Sequence, residues 1–186
     1  MSTTHGLLLA AGAGRRMGMP KALKQDPDGT SWLERSARVL LDGGCDAVTV
    51  VLGASGDRAA IEIPGVRYVD CRDWEQGIGA SLAHGLRELV PTEADAAMVH
   101  LVDLPDVDSF VVQRLLTPGP GRSSLRRAGY DGIVGHPAVI GRDHWAPLTA
   151  ELSGDRGAGP YLRRHGAELV ECGDLATGRD VDFPED

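Results

Sequence analysis

Between Leu9 and Leu23 the chain reads LAAGAGRRMGMPKAL, and these residue types suit one kind of chemistry. Ala10, Ala11, Gly12 and Gly14 have side chains small enough for the backbone to approach a ligand closely and present its N–H groups. Arg15 and Arg16 can grip phosphate oxygens through two parallel hydrogen bonds. Lys21 supplies a compact charge, held in a backbone restricted by Pro20. The apolar run GLLLA comes immediately before, so the loop follows a strand. Such a loop is expected to wrap phosphate.

Two familiar phosphate motifs fail on spacing. A P-loop needs G-x-x-x-x-G-K-[ST], but Lys21 stands three residues beyond Gly18 and is followed by Ala22. The dinucleotide fingerprint G-x-G-x-x-G starts with Gly12 and Gly14. Met17 then takes the third glycine position, and Gly18 comes one residue late.

The elements that must position this loop alternate between strand and helix types. His5–Ala10 reads as a short apolar strand, Asp46–Gly53 as a buried β-branched strand, and Gly65–Asp70 as a third. After Ser31, a candidate N-cap, Trp32, Leu33, Ala37, Leu40 and Leu41 recur at helical spacing until Gly43–Gly44 stops them. Ile78–Leu89 sets Leu82, Leu86 and Leu89 on one side of another helix. Ala96–Pro105 is a strand ending in Asp-Leu-Pro, and Val107–Leu116 is the next helix. Beyond Leu116, LRRAGYDGIVGHPAVIGRDHW reads as short strands around turns, including a hairpin, and AELVEC as a final strand.

This alternation predicts an α/β domain with a mostly parallel central sheet flanked by helices. No repeat or linker interrupts residues 1–186, which are read as a single domain. Ligands bind such sheets beyond the carboxyl ends of their strands. Both the Gly12 loop and Asp103 fall at such ends.

Bulk composition narrows the partners. Of 186 residues, 42% are hydrophobic and 25% charged, and the formal net charge is −8. That acidity argues against general nucleic-acid binding, which calls for a basic stripe. No apolar run approaches the roughly 20 residues that span a bilayer, so no membrane partner is expected. MSTTHG at the N-terminus has no signal-peptide pattern, so a cytoplasmic location is expected. Cys45, Cys71 and Cys172 lie far apart without a CxxC pair, which argues against a zinc site or disulfide framework.

The run LLLAAGAGRRMGMPKAL resembles the signature loop of nucleotidyltransferases that activate sugars and cofactors with a nucleoside triphosphate, most closely the molybdenum-cofactor group. Guanylyltransferases there typically carry LAGG and an Asp before the lysine. Ala11 and Pro20 resemble the cytidylyltransferase branch instead. WEQGIGASLAHGL, VDLPDV, GHPAVI, SGDRGAGPYL and DVDFPED resemble later motifs of the family in order. Leu104, Gly159 and Cys71 depart from its usual residues.

The resemblance implies a Rossmann-like fold of the nucleotide-diphospho-sugar transferase type. It also implies attack by an acceptor phosphate on the α-phosphorus of a nucleoside triphosphate, with release of pyrophosphate. Catalysis would rest on positioning and charge neutralisation by Mg²⁺, Arg16 and Lys21. Asp103 is the first metal-ligand candidate, and Asp106 fits helix capping better. Asp155 could complete the metal site, hold the acceptor or serve a turn.

Ala10, Ala11, Gly12, Gly14 and Arg15, with Gly79 and Ser81 at a helix start rich in free N–H donors, would hold the nucleotide. Ser81 could instead cap the helix. His136 could touch the acceptor phosphate or simply occupy a turn. Asp180 and Asp182 match the terminal motif and equally suit a solvated tail. The implied partners are a nucleoside triphosphate, a phosphate-bearing small-molecule acceptor such as molybdopterin or a sugar phosphate, and a molybdoenzyme-maturation partner. A nucleotide-binding regulatory domain is the non-enzymatic alternative.

Overall fold

Apolar runs too continuous for a half-exposed sheet dictate the centre of the molecule. All six residues of β1 (Thr4–Leu9) are buried, as are five of six in both β2 (Ala47–Leu52) and β4 (Ala96–Leu101). Strands buried on both faces need helical layers on both sides, as in parallel sheets. The computed structural model describes residues 2–182, apart from the side chains of Asp57 and Arg58. Phe183–Asp186 of the terminal motif lie outside the described residues.

The remaining strands are β3 (Val66–Asp70), β5 (Leu125–Tyr130), β6 (Ile133–Gly141) and β7 (Glu168–Glu171). The sheet order is β3-β2-β1-β4-β6-β5-β7. β1 pairs in parallel with β2 and β4, β2 with β3, and β5 with β7. Only β6 runs against its neighbours, β4 and β5. The expected hairpin is β5–β6, turned at Asp131–Gly132, where φ is 52° and 80°. Both values match the turn that suits the twist of paired strands.

The helices are α1 (Trp32–Asp42), α2 (Ile78–Leu89), α3 (Ser109–Leu115), α4 (Trp145–Glu151) and α5 (Gly159–Arg164). Trp32, Leu33, Ala37 and Leu40 of α1 join Val111, Val112 and Leu115 of α3 over one sheet face. Leu82, Leu86 and Leu89 of α2 join Trp145, Leu148, Tyr161 and Leu162 over the other. The Ser31 hydroxyl accepts from the Glu34 N–H at 3.0 Å, capping α1 as expected. Among the described residues no helix is long and apolar enough to cross a membrane.

Two boundaries differ from expectation. β4 ends at Leu101, so Asp103 sits in the following turn. α3 starts at Ser109 and is capped by Asp108, whose carboxylate accepts from the Phe110 and Val111 N–H groups. Asp106 is not the cap. It accepts from the Thr177 N–H and hydroxyl, each at 2.6 Å, and so ties down the C-terminal segment. Burial of Leu104 and Val107 draws the intervening turn into the core and delays the helix.

From β1 the chain moves outward to β2 and β3, then returns through α2 to β4 on the other side of β1. The reversal leaves a crevice at the carboxyl ends of β1 and β4, where such sheets take ligands.

Candidate active site

The glycine loop begins hydrogen-bonded to β2 and the segment after it, and ends in a fixed turn. The Ala10 N–H donates to the Val51 carbonyl, and the Ala11 carbonyl accepts from the Ala54 N–H, both at 3.0 Å. Gly14 has a φ of +59°, and a Cβ there would collide with the Met19 carbonyl. Only glycine suits that position. At Gly12 the Cβ direction meets nothing within 4 Å, so the loop is open toward the crevice. Pro20 then leads into a 3-10 turn, Lys21–Leu23, anchored by buried Ala22.

That turn aims Lys21 at the end of β4. The ammonium donates to Asp103 Oδ2 at 2.6 Å and to Asp182 Oδ1 at 2.7 Å. Arg16 donates to the other Asp182 oxygen at 2.7 Å. Burial alone would lower the Lys21 pKa, but hydrogen bonds and charge from Asp103 and Asp182 outweigh it and raise the net value. Lys21 therefore stays charged at neutral pH. The hydrogen bond and charge of Lys21, with help from Arg16, hold the Asp182 carboxyl below its usual range.

A groove of about 420 Å³ opens beside this triangle. Ala11, Gly12, Gly14, Arg15, Lys21, Ser81, Asp103 and Asp155 line it, together with Trp74, Gly77 and Ile78. A shallower depression continues past Arg15, Arg16, Lys21 and Asp182. Small residues and basic groups thus meet across one crevice, an arrangement suited to a polyanionic nucleotide.

Other candidates are placed differently. Ala10 has its N–H committed to Val51 and packs into the core beneath the loop. Gly79 and Ser81 do not offer free N–H groups: the first donates to the Gly154 carbonyl and the second to the Gly77 carbonyl. A Cβ on Gly79 would lie 2.8 Å from the Arg156 carbonyl and 2.9 Å from that of Gly154. Gly79 therefore admits the 153–156 loop rather than facing the groove. Ser81 lies within α2 and does not cap it, because Gly77 holds the N-cap position. His136 lies outside the main groove, in an adjoining chamber.

The metal candidates also rearrange. Asp103, Asp180 and Asp182 each bring a carboxylate oxygen within 4.8 Å of the others, and Asp155 is not in that cluster. Asp103 Oδ1 is buried without a hydrogen-bond partner among the described residues. An orphaned carboxylate oxygen among hard donors fits Mg²⁺ or Mn²⁺. The terminal Asp-x-Asp pattern carried the signal for Asp180 and Asp182, but a tail's return to the site is invisible in local sequence. Val181 secures it by donating its N–H to the Asp103 carbonyl at 3.1 Å.

Fold and crevice together are those of a nucleotidyltransferase, with a glycine-rich basic loop after the first strand facing Asp103 across the switch point. The chain belongs to the MobA-like NTP transferase domain family, whose model matches residues 6–169. It is 37% identical over 193 residues to nicotine blue oxidoreductase of Paenarthrobacter nicotinovorans, covering 97% of this chain and 92% of that protein. It is 30% identical over 188 residues to molybdenum cofactor guanylyltransferase of Cereibacter sphaeroides, with the same coverages. The solved structure of Rv0371c from Mycobacterium tuberculosis H37Rv superposes with a TM-score of 0.80 at 29% identity, covering 98% of this chain and 94% of that one. A manganese complex of Rv0371c superposes with a TM-score of 0.75 at 27% identity, covering 97% and 94%.

Proposed function

We propose that this nucleotidyltransferase moves CMP from CTP to the phosphate of a molybdopterin-type acceptor, releasing pyrophosphate, and does so in the cytoplasm. The observation that carries this reading is Lys21 held between Asp103 and Asp182 at the mouth of the groove. An acceptor phosphate oxygen forms a bond to the α-phosphorus as the bond to the bridging oxygen of the β-phosphate breaks. The nucleophile arrives with the substrate and already ionised, so the chain needs no serine or cysteine nucleophile. Its task is to orient two polyanions and offset their repulsion.

Backbone groups from Ala11 to Gly14 embrace the nucleotide, while Arg15, Arg16 and Lys21 hold the triphosphate. Asp103, Asp180 and Asp182 are the residues that would hold Mg²⁺ or Mn²⁺. Such a cation, when bound, supplies charge neutralisation for the phosphates and the leaving pyrophosphate. Manganese in the related structure supports a divalent ion here. Ala11 and Pro20 support cytosine, whereas the guanylyltransferase relative makes GTP the competing nucleotide. The product would pass to a partner in molybdoenzyme maturation.

The test is pyrophosphate release with Mg²⁺ or Mn²⁺, each of the four nucleoside triphosphates, and molybdopterin or sugar phosphates as acceptors. Release with CTP and molybdopterin is expected. Release with GTP alone would overturn the base assignment and keep the reaction. Tight nucleotide binding without release for any pair would overturn transfer to these acceptors and favour a binding role.

A further inference from the structure

Behind the main groove, on the α2 and α5 side of the sheet, lies a second chamber of about 150 Å³. Leu9 and Ile78 line both cavities, so the two adjoin. The chamber walls are mainly apolar, but Arg127 and His136 enter them. The hairpin register explains why. Arg127 of β5 stands opposite Ala138 of β6, and His136 lies two residues before Ala138. Alternation along a strand puts residues two apart on one face, here the face that packs Leu125, Ala138 and Ile140 against α2, α4 and α5.

Arg127 differs from the arginine beside it. Arg126 donates to the Leu115 and Pro118 carbonyls and pairs with Glu168. Arg127 has no ion pair among the described residues, and its Nε is buried without a hydrogen-bond partner. Burial pushes its pKa down, and the nearby Arg163 charge adds to that effect. His136 is pushed down to about 4 by burial and then by Arg127, so at neutral pH its uncharged ring can still donate one hydrogen bond. A half-buried cation whose buried Nε–H is an unspent donor beside a cavity calls for an anion.

We propose that this chamber is an anion subsite in which Arg127, with His136 as second donor, receives an oxyanion group of the acceptor while the reacting phosphate lies near Lys21 and Asp103. The proposal rests on the transfer reading above. It assigns the acceptor to molecules carrying a phosphate or carboxylate beyond the one that reacts, or an equivalent anionic oxygen. A free inorganic anion offers the same chemistry, and the experiment separates the two.

The test follows the Arg127 Nε–H resonance by NMR in the intact chain, identified by its loss in Arg127→Lys, during titration with inorganic phosphate. A saturable shift is expected in the wild type and in Lys21→Met, whose main groove has lost a cation. No shift, or a shift that vanishes in Lys21→Met, would overturn the subsite. Added molybdenum-loaded molybdopterin, whose oxo-molybdenum group supplies an anionic oxygen beyond the reacting phosphate, should compete with phosphate at this resonance. Phosphate binding undisturbed by it would assign the chamber to a free anion and overturn the acceptor assignment.

In transfer assays with molybdenum-loaded molybdopterin, Arg127→Gln should raise the acceptor KM by about ten- to a hundredfold, with the nucleotide KM unchanged and partial recovery in Arg127→Lys. An unchanged acceptor KM would overturn the proposal. A wild type that transfers nothing, yet shows the phosphate shift, would defeat the transfer reading and leave the anion subsite standing.

Discussion

Lys21 and Asp103 stand 82 positions apart in the chain, yet the ammonium of one donates to the carboxylate of the other across 2.6 Å. Their side chains are only 15% and 17% exposed, so neither charge is well served by water alone. Asp182 closes the triangle from near the C-terminus. The first expectation follows from removing its cation. Lys21→Met should lower stability by about 1–3 kcal/mol, because a partly buried carboxylate loses its charged partner. Added Mn²⁺ should restore more melting temperature to this variant than to the wild type, and turnover should fall by about a hundredfold or more. An unchanged melting temperature and turnover would remove Lys21 from the site.

The carboxylate cluster predicts which residues govern metal affinity. Even groups that only support a metal ligand cost about 10–100-fold in affinity when replaced. Asp103→Asn and Asp182→Asn should each weaken Mn²⁺ binding at least that much, measured by electron paramagnetic resonance. Asp155→Asn should leave it unchanged. The opposite ranking would return the metal to Asp155, and near-normal metal-dependent activity in Asp103→Ala would defeat the assignment of Asp103.

Base choice is tested at Ala11, which lines the groove and is 4% exposed. Removing one methyl in a tight pocket can change discrimination by about tenfold or more. Ala11→Gly should shift preference from CTP toward GTP, read from the ratio of kcat/KM values. An unaltered ratio would take this residue out of the specificity argument.

Two glycines of the site should respond in opposite ways to alanine. Gly79→Ala forces a methyl against two carbonyls of the 153–156 loop and should cost about 1–3 kcal/mol in urea unfolding. Gly12→Ala points into open space. It should leave stability intact and weaken nucleotide binding by obstructing close approach to the backbone. Equal stability losses would show that Gly12 is structural.

The buried histidines predict an acid limb. His100 is fully buried, with neither ring nitrogen hydrogen-bonded among the described residues. Burial, then the charges of His136 and Arg35, push it down to about 3. An unfolded histidine titrates near 6.5, so between that value and about 3 the unfolded chain binds the extra proton. The stabilising effect is complete above pH 6.5 and declines as pH falls, by up to about 1.4 kcal/mol per pH unit for each such histidine. His136, pushed down to about 4, adds to the same limb. His100→Gln should flatten the fall in unfolding free energy between pH 6 and 4, and an unchanged slope would count against this cause.

The local pattern was enough to reveal the alternation of strands and helices, the capping of α1 by Ser31 and a hairpin in the second half of the chain. Each depends on residues a few positions apart, whose spacing and backbone preferences act before the chain folds. The place of Asp103 just beyond an apolar strand was legible for the same reason, because Leu-Pro ends that strand. The shift of the α3 cap from Asp106 to Asp108 was not, because burial of Leu104 and Val107 sets the path between them.

By itself, then, the sequence determined an α/β chain with a glycine-rich, basic loop after its first strand and an acid just beyond a later one. Tertiary structure decided which polar groups remain available. It used the N–H of Ala10 to join β2 and that of Gly79 to seat the 153–156 loop. It brought Asp182 across 161 positions to Lys21, and its hairpin register sent Arg127 inward with its Nε unpartnered among the described residues. Spacing along a chain specifies which face of an element a residue occupies, but the hydrogen bonds and charges that meet that face come from distant elements, and only packing brings them together.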